Sequence, residues 1–168
     1  MNVRDTLSTV WEFISAPFSN KSNMTPAQLT TFKAAILADA NLTALRSANE
    51  HGQIAAYYNA AGTGSIWRPS ISISELNTAI VWSEFASLST ALQVTYQVIV
   101  ATGTVDATSA NIRAGFSTVF AGKTSLTNLT AIAARTPTVL ESLFTTANVC
   151  SVFGQQVSAA DVAKAMAS

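Results

Sequence analysis

Helix starts and helix stops follow one another so closely in this chain that only a fold of short helices can accommodate them. Thr25-Pro26-Ala27-Gln28 combines a capping box with proline at the first helical position, and Ser72-Ile73-Ser74-Glu75 repeats the capping pattern. Thr124 and Ser158 with Asp161 offer further starts, as do Asp106 or Ser109 and Asn41 or Thr43, while Gly62, Gly64, Gly122 and Thr136-Pro137 interrupt what precedes them. Between these marks the apolar residues recur at helical spacing. Leu29, Phe32, Ile36 and Leu37 form one stripe, and Ile54, Tyr57 and Tyr58, after a start at Asn49, form another. Leu76, Ala79, Ile80 and Trp82 follow the second box; Ile112, Phe116, Val119 and Phe120 precede Gly122; Leu126, Leu129, Ile132 and Ala133 follow Thr124. Leu140, Leu143 and Phe144 predict a short helix after Pro137, and Val162 and Met166 a final one.

Three stretches depart from this period. Between Ser65 and Ser74, Ile71 and Ile73 alternate with serines and Pro69 forbids a helix interior, which predicts an extended or β segment over 65–74. Leu88 to Val100 suits a helix through Leu88, Leu92, Tyr96 and Ile99, with a strand as the alternative because Val94, Thr95, Val98, Ile99 and Val100 are β-branched. Ala147 to Val157 reads as extended. The expected fold is mainly α: a small multi-helix bundle with one extended segment at 65–74 and an N-terminal amphipathic helical arm. That arm places Val3, Leu7, Val10, Trp11, Ile14 and Phe18 on one face, and Pro17 marks its end. The division expected is an arm over 1–23 and a helical domain over 24–168, with the arm docked on its own domain, inserted into a neighbouring subunit or laid on a membrane.

Charge is the scarce commodity. Nine basic and nine acidic residues among 168 give 11 % charged residues, where soluble domains average roughly a quarter. Ser, Thr, Asn and Gln keep such a surface wet without giving it a repulsive field, so a surface mostly covered by other protein is expected. No run of Lys or Arg provides the counterion release behind nucleic-acid affinity, or attraction to an anionic membrane. No apolar run resembles a signal peptide, and Phe85 to Val105, the longest uncharged stretch, carries too many Ser, Thr and Gln residues for a spanning helix. Phe85 to Val105 and Ser142 to Ala160 are the uncharged flanks on which neighbours are expected.

Catalytic chemistry finds little to use. His51 is the one imidazole and Cys150 the one thiol, so a disulfide within the chain, a thiolate cluster and a His-based metal set are not expected. Gly62-Thr63-Gly64-Ser65 lacks the third glycine of a dinucleotide loop and the lysine of a phosphate loop. The sequons at Asn20, Asn23, Asn41 and Asn128 are what a chain rich in Ser, Thr and Asn contains by chance. No enzyme, cofactor or metal is expected, and no catalytic residue is assigned.

Contact residues are easier to nominate. Trp67-Arg68-Pro69 places an aromatic ring and a guanidinium, residue types that dominate interface energetics, beside the extended segment. Two roles stand for it: Trp67 in the core with Arg68 stacked on it, or an intersubunit contact made by the whole segment. Arg113 lies on a helix whose Gly115 costs roughly 1 kcal/mol against alanine, which close approach of another backbone element would justify. Trp11, Trp67, Arg68, Ile71, Ile73 and Arg113 form the expected interface set.

Two segments, Ile66-Trp67-Arg68-Pro69-Ser70-Ile71-Ser72-Ile73-Ser74-Glu75-Leu76 and Asn111-Ile112-Arg113-Ala114-Gly115-Phe116, resemble those of small virion proteins of tailed bacteriophages, as does the opening from Met24 with Gln53-Ile54-Ala55-Ala56-Tyr57-Tyr58-Asn59. The similarity covers about Met24 to Ala165. Ala134-Arg135-Thr136-Pro137-Thr138 departs from it, standing where the family has a more polar, charged helix. The resemblance implies a head-tail connector, or adaptor: a homo-oligomeric ring, with a dodecamer among its forms, between portal and tail proteins. DNA would meet it only by passage through the lumen, with no membrane partner, and it would assemble in the host bacterial cytoplasm into the virion. A neck, tail-completion or minor capsid protein and a soluble non-enzymatic binding module remain as alternatives.

Overall fold

Seven of the ten α-helices among the described residues begin where a polar side chain accepts from their orphan amides. The computed structural model describes residues 24–168, so the arm expected over 1–23, with Trp11, lies outside the described residues. Among these residues there are ten α-helices and three two-stranded antiparallel ladders, which makes the fold mainly α, as expected. The contacts divide the chain into two units, one holding residues up to Ala56 together with Gln156–Ser168, the other Tyr57–Gln155.

In the first unit, α1 (Pro26–Ala38) carries the capping box read from the sequence: Thr25 accepts from the Gln28 amide while the Gln28 side chain accepts from the Thr25 amide. A 3₁₀ turn (Ala40–Leu42) and α2 (Thr43–Ser47) follow, the turn capped by Asp39, which accepts from the Asn41 amide at 2.9 Å. Arg46 on α2 reaches back to donate to the carbonyls of Ile36 and Leu37, satisfying the C-terminal end of α1. The first residues of α3 (His51–Asn59) and the last helix, α10 (Ala159–Ala167), complete this unit. Ser158 and Asp161 cap α10 reciprocally, and α10 packs on α1. Leu29, Phe32, Ile36, Leu42, Ile54, Ala55, Val162 and Ala165 are the buried residues of this unit that these helices contribute.

The second unit is organised around β1 (Ile66–Trp67), β2 (Ile71–Ser72), α4 (Ile73–Ala79), α5 (Trp82–Ala86), α6 (Thr90–Val100), β3 (Thr104–Val105), α7 (Ala110–Val119) and α8 (Thr124–Ala133). After them come β4 (Ala134–Arg135), α9 (Val139–Leu143), β5 (Thr145–Thr146) and β6 (Val149–Cys150). β1 pairs with β4, with Ile66 opposite Arg135; β2 pairs with β3, with Ile71 opposite Val105; β5 and β6 form a hairpin. The extended segment is therefore shorter than expected. It ends at Ser72, whose side chain and Glu75 make the second capping box, so Ile73 and Ser74 are helical. Leu88 to Val100 resolves as a helix from Thr90, capped by Ser89, because Tyr96 is buried and Ile99 packs on the same core. The stretch expected as extended from Ala147 instead opens on the hairpin turn. Proline at 137 separates α8 from α9, and Thr138 caps the latter.

The main core of this unit gathers Ile71, Leu76, Ala79, Ile80, Tyr96, Val105, Phe116, Val119, Phe120 and Leu129. Its aromatic rings meet edge to face: Trp82 on Phe85 (5.6 Å), Phe85 on Tyr96 (5.3 Å) and Tyr96 on Phe120 (5.8 Å). Gly115 marks the closest approach of α6 and α7, since a Cβ there would sit 2.8 Å from Cδ1 of Ile99. The approach at this glycine is made by the Ile99 side chain and not, as expected, by another backbone element. A smaller cluster, Ile66, Cys150 and Val152, lies under β1 and the hairpin.

Candidate functional site

The two segments nominated from sequence, around Trp67 and around Arg113, come together. β1 ends at Trp67, and the chain turns there because the Arg68 amide donates to the Ala133 carbonyl at 2.9 Å and the Arg68 carbonyl accepts from the Ala107 amide at 3.0 Å. This stitches the Trp67-Arg68 corner to the end of α8 on one side and to the approach to α7 on the other. Arg113, one turn into α7, folds back so that its Nη1 donates to the carbonyls of Ala107 (2.5 Å) and Thr108 (2.8 Å). That places its guanidinium carbon 4.7 Å from the centre of the Trp67 ring. A cation held this way over an indole gains about 0.5–2 kcal/mol, depending on desolvation. The stacking partner of Trp67 is thus Arg113, not its neighbour Arg68 as one expectation had it. Arg68 turns the other way, donating to the Ile132 carbonyl at 3.0 Å and pairing with Glu75 at 2.7 Å.

Beside the Trp67–Arg113 stack opens a cavity of about 270 Å³. Ile71 and Leu76 form its floor with Ala107; Ile112, Phe116 and Ser117 line it from α7; Leu126, Leu129, Thr130 and Ala133 line it from α8. Ile71 and Leu76 are each only 1 % exposed, so Ile71 belongs to the core of the unit and Trp67, half-buried against that core, joins it to the cavity mouth. Ile73, in the first turn of α4, is half-buried and does not line the cavity. Arg113 is the only ionisable residue in the wall. An apolar chamber lined, among the described residues, by one cation and two hydroxyls can hold an apolar or aromatic group.

The carboxylates are occupied elsewhere. Six of the seven acidic residues described accept from backbone amides: Asp39 from Asn41, Glu75 from Ser72, Glu84 from Thr124 and Ser125, Asp106 from Thr108, Glu141 from Thr138 and Gly154, Asp161 from Ser158. The backbone amide of Ser72 and the Arg68 guanidinium hold Glu75 down to about 2. The side-chain hydroxyl and amide of Ser125 do the same for Glu84, also at about 2. Glu141 is fully buried. Burial alone would raise its pKa, but the hydrogen bonds from Arg135 and from the Thr138 and Gly154 amides outweigh that and lower it.

Three of these residues escaped the sequence reading: Asp39, which caps the 3₁₀ turn where a start at Asn41 or Thr43 was expected, Glu84 and Glu141. Thr138-Val139-Leu140-Glu141 has the same spacing as the two boxes that were read, so its signal was present. Glu84 had none: it caps α8 from 40 residues away, in place of the cap expected from Thr124, which is itself the first helical residue. Among the described residues no three of His, Cys, Asp and Glu come together as a metal site, and no helix is long and apolar enough to cross a membrane. His51 opens α3, and Cys150 is buried with its Sγ 3.5 Å from the Glu141 carbonyl oxygen. Comparison with family models, with curated proteins and with solved structures finds no match.

Proposed function

We propose that this chain is a structural protein of a tailed-phage virion, a ring-forming head-tail adaptor that joins the portal to the tail. The observation that carries the reading is the use of charge. Nine basic and nine acidic residues among 168 cancel to a net charge of zero and give the surface little field that would keep copies apart. Large apolar side chains stand in that neutral surface, among them Trp82 at 53 % and Val98 at 69 % exposure. The Trp67–Arg113 cavity is a recognition surface. In a closed ring each copy covers such surfaces on its neighbour and leaves a central lumen, so the function is mechanical continuity along the path of the genome.

Native mass measurement of the purified chain, together with its detection in purified particles and labelling of its position in imaged virions, tests the proposal. A ring-sized oligomer in solution and a label at the head-tail junction are expected. A monomer absent from virions refutes it, and a label elsewhere in the particle moves the protein to the tail or the capsid.

A further inference from the structure

A ring of identical copies needs two unlike surfaces on each copy, one fitting the other, and the second unit carries such a pair. We infer that Trp82 of one copy, with the outer face of α6 beside it, docks into the Trp67–Arg113 cavity of the next copy; this inference rests on the ring proposed above. The two surfaces belong to different sides of α7. Ile112, Arg113, Phe116 and Ser117 face the cavity, whereas Gly115, on the opposite side of the helix, faces Ile99 of α6. The contact is consequently head-to-tail, not self-complementary, which is the kind that closes into rings.

Size, charge and area agree with this occupant. A dry cavity of roughly 150 Å³ accepts benzene, and the chamber beside Trp67 offers about 270 Å³, enough for the two fused rings of an indole. The Trp82 indole is half exposed and is tied to α6 through Phe85 and Tyr96. On that helix Val94 and Val98 are 50 % and 69 % exposed, and no residue from Phe85 to Val105 carries a formal charge. Burying this face therefore desolvates no ion. Arg113 forms no ion pair among the described residues, so an incoming aromatic ring meets a guanidinium whose only π partner is Trp67. An aromatic side chain buries about 150–250 Å² in full, and Trp82, 53 % exposed, has about half of that left to bury, about an eighth of the roughly 800 Å² that each partner gives to a stable interface. Trp82 is thus an anchor, and the uncharged α6 face supplies surface around it.

The test alters each surface separately. Trp82→Ala removes the anchor, and Thr130→Trp, at an exposed position on the cavity wall, fills the mouth from within the same copy. Each is expected to weaken association, read by sedimentation and native mass, at least about tenfold, with far-UV circular dichroism unchanged in both. Melting should be unchanged in Thr130→Trp, with a lower midpoint but a still cooperative melt in Trp82→Ala, which also loses its edge contact with Phe85. Mixing Trp82→Cys with Thr130→Cys copies should give an oxidative cross-link between the two that neither forms alone. Wild-type association in both Trp82→Ala and Thr130→Trp overturns the contact while leaving the ring standing, and so does a mixture that does not cross-link. A wild-type chain that is monomeric overturns the contact as well, and its absence from virions would then remove the ring.

Discussion

Removing the Arg135 guanidinium should expose how much of the second unit depends on one buried carboxylate. Glu141 is fully buried, and its two oxygens receive four donors: Nη1 of Arg135 (2.8 Å) and the Thr138 amide (2.8 Å) on Oε2, Nη2 of Arg135 (2.5 Å) and the Gly154 amide (2.6 Å) on Oε1. The carboxylate thereby fastens β4, the start of α9 and the turn after β6. Breaking a buried pair from one side costs about 3–5 kcal/mol because the surviving charge stays desolvated. The Arg135 side chain is one-third exposed, so water enters when it is truncated, and Arg135→Met should cost about 3 kcal/mol, the low end. Glu141→Gln should cost a similar amount by a different route. Its amide nitrogen faces two donors, and each lost charge-assisted hydrogen bond is worth about 1.5–3 kcal/mol. The double variant Arg135→Met/Glu141→Gln strands no charge, leaving only one of the Thr138 and Gly154 amides against the Gln nitrogen at about 1–3 kcal/mol. It should therefore cost less than the two singles together, with a coupling energy of about 1.5–3 kcal/mol. Urea denaturation of the four proteins at neutral pH measures this. Strict additivity, or an Arg135→Met loss below about 1 kcal/mol, would refute the account.

Three further outcomes are expected. Acid should destabilise the protein: Glu75 and Glu84 have folded pKa values lowered to about 2 from 4.5. Their contribution is complete above the unfolded value and disappears as pH falls from about 4.5 to about 2. Melting curves across that range should fall less steeply for Glu84→Gln than for the wild type, and equal slopes would contradict the cap on α8. Gly115→Ala should bring little of the roughly 1 kcal/mol that alanine gains in a helix, because its Cβ meets Cδ1 of Ile99 at 2.8 Å. In an Ile99→Val background, which lacks that carbon, the same change should stabilise, and no difference between backgrounds would show that the contact does not limit the helix pair. Ala147 holds φ +49° at the hairpin turn with Asn148 at +64°. A non-glycine residue there costs about 1–2 kcal/mol, less what glycine adds to unfolded-chain entropy, so Ala147→Gly should stabilise by about 0.5–1 kcal/mol in thermal denaturation.

What could be read from the sequence was what neighbours in sequence decide. The boxes at Thr25, Ser72 and Ser158 are contacts three residues long, and each appears as written. The β-branched run in α6 left strand and helix both open. Packing chose the helix: Tyr96 and Ile99 lie one turn apart on the face turned to α7, a placement that a strand's alternation would split. The segment from Ser65 was half legible, because Pro69 forces extension locally whereas Ser72 starts a helix two residues before the alternation ends. The partner of Trp67 was not legible at all. Arg68 is adjacent in sequence, but β1 pairing sends its side chain to Glu75, and the guanidinium that reaches the ring comes from α7. The cavity is likewise assembled from β2, α4, α7 and α8, which only tertiary packing brings together.

The shortness of the helices and the placement of the acidic charges are two sides of one arrangement. Ten short helices among the described residues create many unsatisfied N-termini, and the carboxylates this chain has are drawn to them or to turns, leaving the outer face of α6 to Ala91, Val94, Thr95 and Val98. If that neutrality serves contact, a single charge placed there should matter far more to assembly than to folding. Val98 is the sharpest position, because at 69 % exposure it contributes little to the core. Val98→Glu should leave stability within about 0.5 kcal/mol of the wild type, as for other exposed substitutions. Against a neighbouring copy, however, it would have to desolvate an unpaired carboxylate, and association should be lost. A Val98→Glu protein that melts normally and assembles normally would show that the uncharged face is not a contact, and the charge economy would then reflect helix capping alone.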